Sequence, residues 1–183
     1  LTGNRLSTNL YLVGPMGVGK TTIGRHLAPI LNKTFKDSDR EIEQRTGASI
    51  PLIFELEGEA GFRKREQAII AELTQEQNLI LSTGGGAVLC PENRRLLKCN
   101  GWVIYLYASL NELMERTAHS RQRPLLQTAD PRARLEQLLL ERHPLYKEVA
   151  NITIKTGDRT IRQVVRTILR RLRQLEFHEN STS

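Results

Sequence analysis

An apolar run, Leu10-Tyr11-Leu12-Val13, breaks into Gly14-Pro15-Met16-Gly17-Val18-Gly19-Lys20-Thr21. This is a phosphate-binding loop pattern of the form G-x-x-x-x-G-K-[ST]. Its flanks make it a constraint on the fold. The apolar run predicts a strand over 9–13, and the periodicity after the loop predicts a helix over 20–31. Between such elements, glycines let successive backbone N–H groups curl around phosphate oxygens, and the helix adds the positive end of its dipole. The pattern points to a nucleoside triphosphate, with Lys20 reaching the outer phosphates and the Thr21 hydroxyl serving as a Mg²⁺ ligand.

The rest of the chain alternates in the same way. Strands are expected at 34–36, 79–82, 102–107 and 151–155, and helices at 39–45, 50–56, 61–75, 91–98, 109–118, 131–146 and 160–175. Ser109 and Asp130-Pro131 read as helix starts. Strand–helix alternation predicts an α/β fold in which a parallel sheet is covered on both faces. With 183 residues there is room for one full core and not for two. We therefore expect one domain over 9–175, with 1–8 and 176–183 as loose termini.

Composition narrows the class. Hydrophobic residues at 39% and charged residues at 26% describe a soluble globular chain. The longest apolar runs are far too short to cross a bilayer. No charged start leads into an apolar segment, so a cytoplasmic protein without membrane contact is expected. Cys90 and Cys99 read as two reduced thiols, and no histidine lies near either to suggest zinc. The formal net charge of +7 owes much to Arg159, Arg162, Arg166, Arg170, Arg171 and Arg173. These arginines form the outer face of an amphipathic helix. No aromatic residues are interleaved for base stacking, which favours a solvated face over nucleic-acid binding.

Further clusters carry chemistry. Asp37-Ser38-Asp39 ends the second strand, where carboxylates face the ligand crevice; Asp39 could equally be a helix N-cap. In Gly58-Glu59-Ala60-Gly61-Phe62-Arg63-Lys64-Arg65-Glu66, Arg63 lies within a turn of Glu59 and Glu66. That makes either a preoriented fork for a carboxylate or a surface ion pair. Thr83-Gly84-Gly85-Gly86 follows the third strand, where backbone would approach a ligand closely; a loose turn is the alternative. Arg116 and Arg123 lie in a long connection suited to a mobile cover over phosphates, or to a solvated basic loop. Arg142, near a helix end, is a second anion fork or a cation complementing the helix dipole.

Together the D-S-D pair, the G-E-x-x-F-R-x-x-E run and the T-G-G-G-A stretch make the chain resemble the bacterial shikimate kinases over roughly 9–175. The resemblance implies a five-stranded parallel sheet in the order 2-3-1-4-5, helices on both faces, and a lid over about 116–130. It implies ATP-dependent phosphorylation of shikimate at its 3-hydroxyl, a step toward chorismate and the aromatic amino acids, with Mg²⁺ as cofactor. Gly17, Val18, Gly19, Lys20, Thr21 and Thr22 would bind the ATP phosphates, and Asp37 would support the metal through water. Asp39 would hold the shikimate hydroxyls, Arg63 and Arg142 its carboxylate, and Gly85, with Gly84 and Gly86 beside it, the ring hydroxyls. Arg123 would be the lid arginine, catalytic together with Lys20 and Asp39; Arg116 and Arg159 would lie near the adenine. The family often has serine where Thr21 stands, and threonine keeps the hydroxyl. A monomer is expected, for want of an exposed apolar stripe. The rivals are another small-molecule kinase such as a gluconate kinase, a GTP switch, and a nucleic-acid-dependent ATPase. The switch would need N-K-x-D, whereas here Asn32-Lys33 runs into Thr34-Phe35.

Overall fold

The computed structural model describes residues 8–118 and 124–181. In chain order the elements are β1 (Asn9–Val13), α1 (Lys20–Leu31), β2 (Thr34–Asp37), α2 (Ser38–Thr46), α3 (Ile50–Leu73) and β3 (Leu79–Ser82). There follow α4 (Pro91–Asn100), β4 (Gly101–Tyr107), α5 (Leu110–Thr117), α6 (Pro131–Val149), β5 (Ile152–Lys155) and α7 (Ile161–Ser181). Short 3-10 turns lie at Ala87–Leu89 and Pro124–Leu126. The five strands form one sheet in the order β2-β3-β1-β4-β5, and every ladder is parallel.

Strand β1 explains why the sheet is covered on both sides. Side chains alternate across a strand, and all five of its residues are buried. Leu10 and Leu12 pack into one core with Ile23 and Leu27 of α1 and Ile168 and Leu172 of α7. Tyr11 and Val13 enter the opposite core with Ile70 and Leu73 of α3 and Leu97 of α4. Helix α6 serves both cores, with Leu135 in the first and Tyr146 and Val149 in the second. Register then sets the crevice: Asp37 is paired with Ser82, and Ser82 with Leu12. Three strands thus finish in one row, and the segments after them leave from the same edge, where ligands bind in open α/β sheets.

Several boundaries differ from the sequence expectation. Helix α2 starts at Ser38, and its N-cap is Asp37 rather than Asp39. Asp37 is extended and its Oδ1 accepts the N–H groups of Asp39 (3.1 Å) and Arg40 (3.4 Å), leaving the Asp39 side chain free of capping duty. The helices expected at 50–56 and 61–75 run together as α3, with one break at Gly58 (φ 69°, ψ −179°). A Cβ there would touch nothing, so glycine is required by the positive φ alone. The Arg65–Glu57 pair, at 2.8 and 2.6 Å, spans the break. Helix α7 runs on to Ser181, so residues 176–181, expected as part of a loose end, extend it; no Gly or Pro stops it there. Ser109 and Asp130 cap α5 and α6 as expected.

Candidate active site

A cleft of about 770 Å³ opens at this edge of the sheet, and the loop between β1 and α1 lines one end of it. Gly19 has φ 103°, a conformation that a Cβ would oppose, and it turns the chain straight into α1. Lys20 is buried, and its Nζ donates to the carbonyls of Gly14 (2.7 Å) and Pro15 (2.9 Å). The ammonium is thereby held against the loop. Thr21 Oγ1 donates to Asp37 Oδ2 at 2.6 Å. A hydroxyl and a carboxylate oxygen side by side form a hard oxygen pair, which suits Mg²⁺ better than a soft metal.

Side chains from α2, α3 and α6 line the other end, with the backbone after β3 between them. Arg63 Nη1 donates to Glu66 Oε2 at 2.7 Å and Nη2 to Glu59 Oε1 at 3.1 Å. Glu66 is only 1% exposed and Arg142 only 4%. Burying charge is costly unless it is paired, so this cluster is built at the expense of stability. Asp39 Oδ1, Glu66 Oε1, Arg63 Nε and Arg142 Nε are buried with no hydrogen-bond partner among the described residues. Buried polar groups seldom go unsatisfied, and four in one cleft mark it as a place for a polar ligand.

The electrostatics follow from that burial. Desolvation, reinforced by the carboxylates of Asp37 and Glu66, pushes the Asp39 carboxyl up to about 7 against the pull of Lys20 and Arg63. Desolvation also raises the Glu66 carboxyl, with Arg63 and Arg142 opposing it.

The glycines expected to face a ligand sit against these same charges. A Cβ on Gly84 would come within 2.5 Å of Glu66 Oε1 and 3.0 Å of Asp39 Oδ1. One on Gly86 would collide with the Arg63 guanidinium, and one on Gly85 would stand 3.4 Å from Met16 N and 3.7 Å from Arg142 Nη1. Ser38 Oγ accepts the Gly84 N–H at 3.0 Å, and Thr83 bonds back to the Leu12 carbonyl. The loop after β3 is therefore a fixed wall between the two ends of the cleft.

Gly17, Gly19, Lys20, Thr21, Thr22, Asp37, Asp39, Arg63, Gly84, Gly85, Gly86, Arg116 and Arg142 all line this one cleft. The Val18 side chain instead packs into the core beside Leu10, so its share in the loop is backbone; its carbonyl accepts from Thr156 Oγ1 at 3.1 Å and from Arg116 Nη1 at 3.4 Å. Arg159 is exposed after β5 and does not line the cleft. Arg123 lies outside the described residues. The sequence reading gave Glu66 only the part of a flanking acid, although its spacing from Phe62, Ile69 and Ile70 sets it on the apolar stripe of α3. From sequence, Tyr146 marks only the end of a helix; it follows Arg142 by one turn on the buried face of α6. Cys90 and Cys99 are both free thiols.

A family model described as shikimate kinase matches residues 16–173. The shikimate kinase of Nitrosococcus oceani is 60% identical over 169 residues, 92% of this chain and 89% of that protein. The solved shikimate kinase from Acinetobacter baumannii in complex with shikimate superposes with a TM-score of 0.89 at 49% identity, covering 96% of each chain. A gluconokinase from Sinorhizobium meliloti superposes with a TM-score of 0.67 at 17% identity, over 98% of this chain and 99% of its own; that likeness is one of fold.

Proposed function

The chain belongs to the shikimate kinase family, and from that membership we propose how its cleft performs the reaction. The enzyme transfers the γ-phosphoryl group of ATP to the 3-hydroxyl of shikimate, giving shikimate 3-phosphate and ADP on the route to chorismate and the aromatic amino acids. One observation carries the assignment of roles: two guanidinium groups, a buried carboxylate and a glycine wall share a cleft with the phosphate loop.

Shikimate bears one carboxylate and three hydroxyls. Arg63 and Arg142 take the carboxylate, since a planar guanidinium offers paired N–H donors matched to its two oxygens. Gly84, Gly85 and Gly86 bring backbone to the ring hydroxyls. Asp39 accepts a hydrogen bond from the attacking hydroxyl and is poised, with a carboxyl near 7, to take its proton. Gly17, Val18, Gly19 and Thr22 cradle the phosphates through their backbone, and Lys20 meets the outer ones. Phosphoryl transfer needs little covalent help from protein, so positioning and charge compensation supply most of the acceleration. Arg116 flanks the adenine from within the cleft, and Arg159, exposed after β5, approaches it from outside. Arg123, in a lid over about 116–130, closes on the phosphates and excludes water.

Mg²⁺ fits the oxygen pair already described. Thr21 would hold it directly and Asp37 through water, and when bound it supplies positive charge to the phosphate oxygens. The enzyme works as a cytoplasmic monomer without nucleic-acid or membrane partners. In support, its exposed large apolar residues, among them Ile30, Leu56, Leu140 and Phe177, are scattered over four helices. No helix among the described residues is long and apolar enough to cross a membrane.

A coupled assay of ADP release with Mg-ATP tests the assignment. Turnover with shikimate and none with gluconate is expected; turnover with gluconate alone would overturn it.

A further inference from the structure

The segment after β3 is tied down at its carbonyls from two helices. Asn93 Nδ2 of α4 donates to the Ala87 carbonyl at 2.9 Å, and Arg94 Nη1 to that of Val88 at 2.8 Å. The Gly85 carbonyl takes its bond from α6, through the Tyr146 phenol. Tyr146 is 1% exposed and does not line the cleft. Its ring stacks on Tyr105 of β4, with centroids 4.9 Å apart at 25°. Tyr105 is itself fixed by a 2.7 Å hydrogen bond to His143 Nδ1.

Two consequences follow from peptide geometry. The Gly85–Gly86 peptide is trans, as are all those described, so its N–H points opposite to its C=O. With the Gly85 carbonyl held toward Tyr146, the Gly86 N–H faces the other way. Neither the Gly85 nor the Gly86 N–H donates to a protein acceptor among the described residues. Arg142 precedes Tyr146 by one turn of α6, with Pro144 between them, so the same stretch of helix presents the guanidinium and fixes the peptide plane.

We infer that Tyr146 is a positioning residue for the acceptor: its hydroxyl orients the Gly85–Gly86 peptide so that the Gly86 N–H and the Arg142 guanidinium meet shikimate in fixed relation. Burial raises the phenol far above its ordinary range, so it remains a donor at every working pH. The inference rests on shikimate being the acceptor, and the test separates the two.

The test substitutions are Tyr146→Phe, which keeps the stack and removes the hydroxyl, and Tyr105→Phe, which removes a hydroxyl from the same cluster without touching Gly85. For Tyr146→Phe the KM for shikimate should rise roughly fivefold, the scale of one net hydrogen bond. Its KM for ATP and its thermal midpoint in the presence of ATP should stay near wild type. Tyr105→Phe should leave the KM for shikimate unchanged. Parallel increases in both KM values for Tyr146→Phe, no increase in either, or an equal effect of Tyr105→Phe would each overturn the positioning role. If Tyr146→Phe unfolds, Tyr146→His, carried on the same turn with a ring N–H, should restore shikimate affinity in part; a folded Tyr146→His with both KM values altered alike refutes the role. Absence of shikimate turnover in the wild-type enzyme would sink the functional reading instead.

Discussion

The two ends of the cleft are made in opposite ways. The end proposed to take the phosphates is built around one contiguous loop, whose backbone path is set by local conformation and which ends in Lys20 and Thr21. The acceptor end is assembled from side chains on α2, α3 and α6, with buried charges held in place by one another. Apart from Lys20 and Thr21, such a loop tolerates changes of side chain as long as its backbone path survives. A cluster of buried charges does not, because removing one member leaves its partner uncompensated. On the proposed assignment, the loop end serves the nucleotide and the side-chain cluster selects the acceptor.

Four perturbations would break or sharpen this contrast. Lys20→Ala should have the largest effect, lowering kcat/KM about a thousandfold with the shikimate dissociation constant little changed, read by the coupled assay and by shikimate titration. Arg63→Ala should come next. The KM for shikimate is expected to rise about a hundredfold, the scale of a charge-assisted bidentate contact, while the KM for ATP stays within about twofold. Calorimetry should also show a lower thermal midpoint, because Glu66 loses its partner. A comparable loss of ATP affinity would erase the distinction between the two ends.

Gly86→Ala should be milder. The new Cβ displaces the Arg63 guanidinium and strains its pair with Glu66, so the thermal midpoint should fall less than in Arg63→Ala while the KM for shikimate rises about tenfold. The smallest effect is pH. If Asp39 acts as a carboxylate with its carboxyl near 7, kcat/KM for shikimate should fall to about half its plateau on acidification to pH 7; Asp39→Asn should abolish that limb along with most activity. The sign for stability is reversed. A carboxyl raised above its ordinary 3.8 means that the fold binds more protons than the unfolded chain between about pH 4 and 7, so wild-type stability declines as pH rises through that window. Asp39→Asn should flatten the decline.

The same contrast governs what could be read from residues alone. The bounds of β1, α1 and β3 follow from contiguous signals, an apolar run or a 3.6-residue period, and the structure reproduces them. The parallel alternation follows for the same reason. At the acceptor end, Arg63 and Glu66 are neighbours by helical spacing, but their burial depends on Gly84 and Gly86, which arrive from another strand. Charged residues on an apolar stripe, Glu66 on α3 and Arg142 on α6, were the available sign that these helices face something other than core. The Asp37 cap was ambiguous because either carboxylate can start a helix; only the extended backbone of Asp37 decides it. The Tyr146 contact joins residues 61 positions apart, beyond any local pattern.

Asp37 divides its two oxygens, one to the Thr21 hydroxyl and one to the amide of Asp39. The carboxylate therefore ties the first turn of α1 to the first turn of α2, the two turns that carry Thr21 and Asp39. A displacement of either helix start is thus felt at the other through a single side chain, so the two turns settle as one unit.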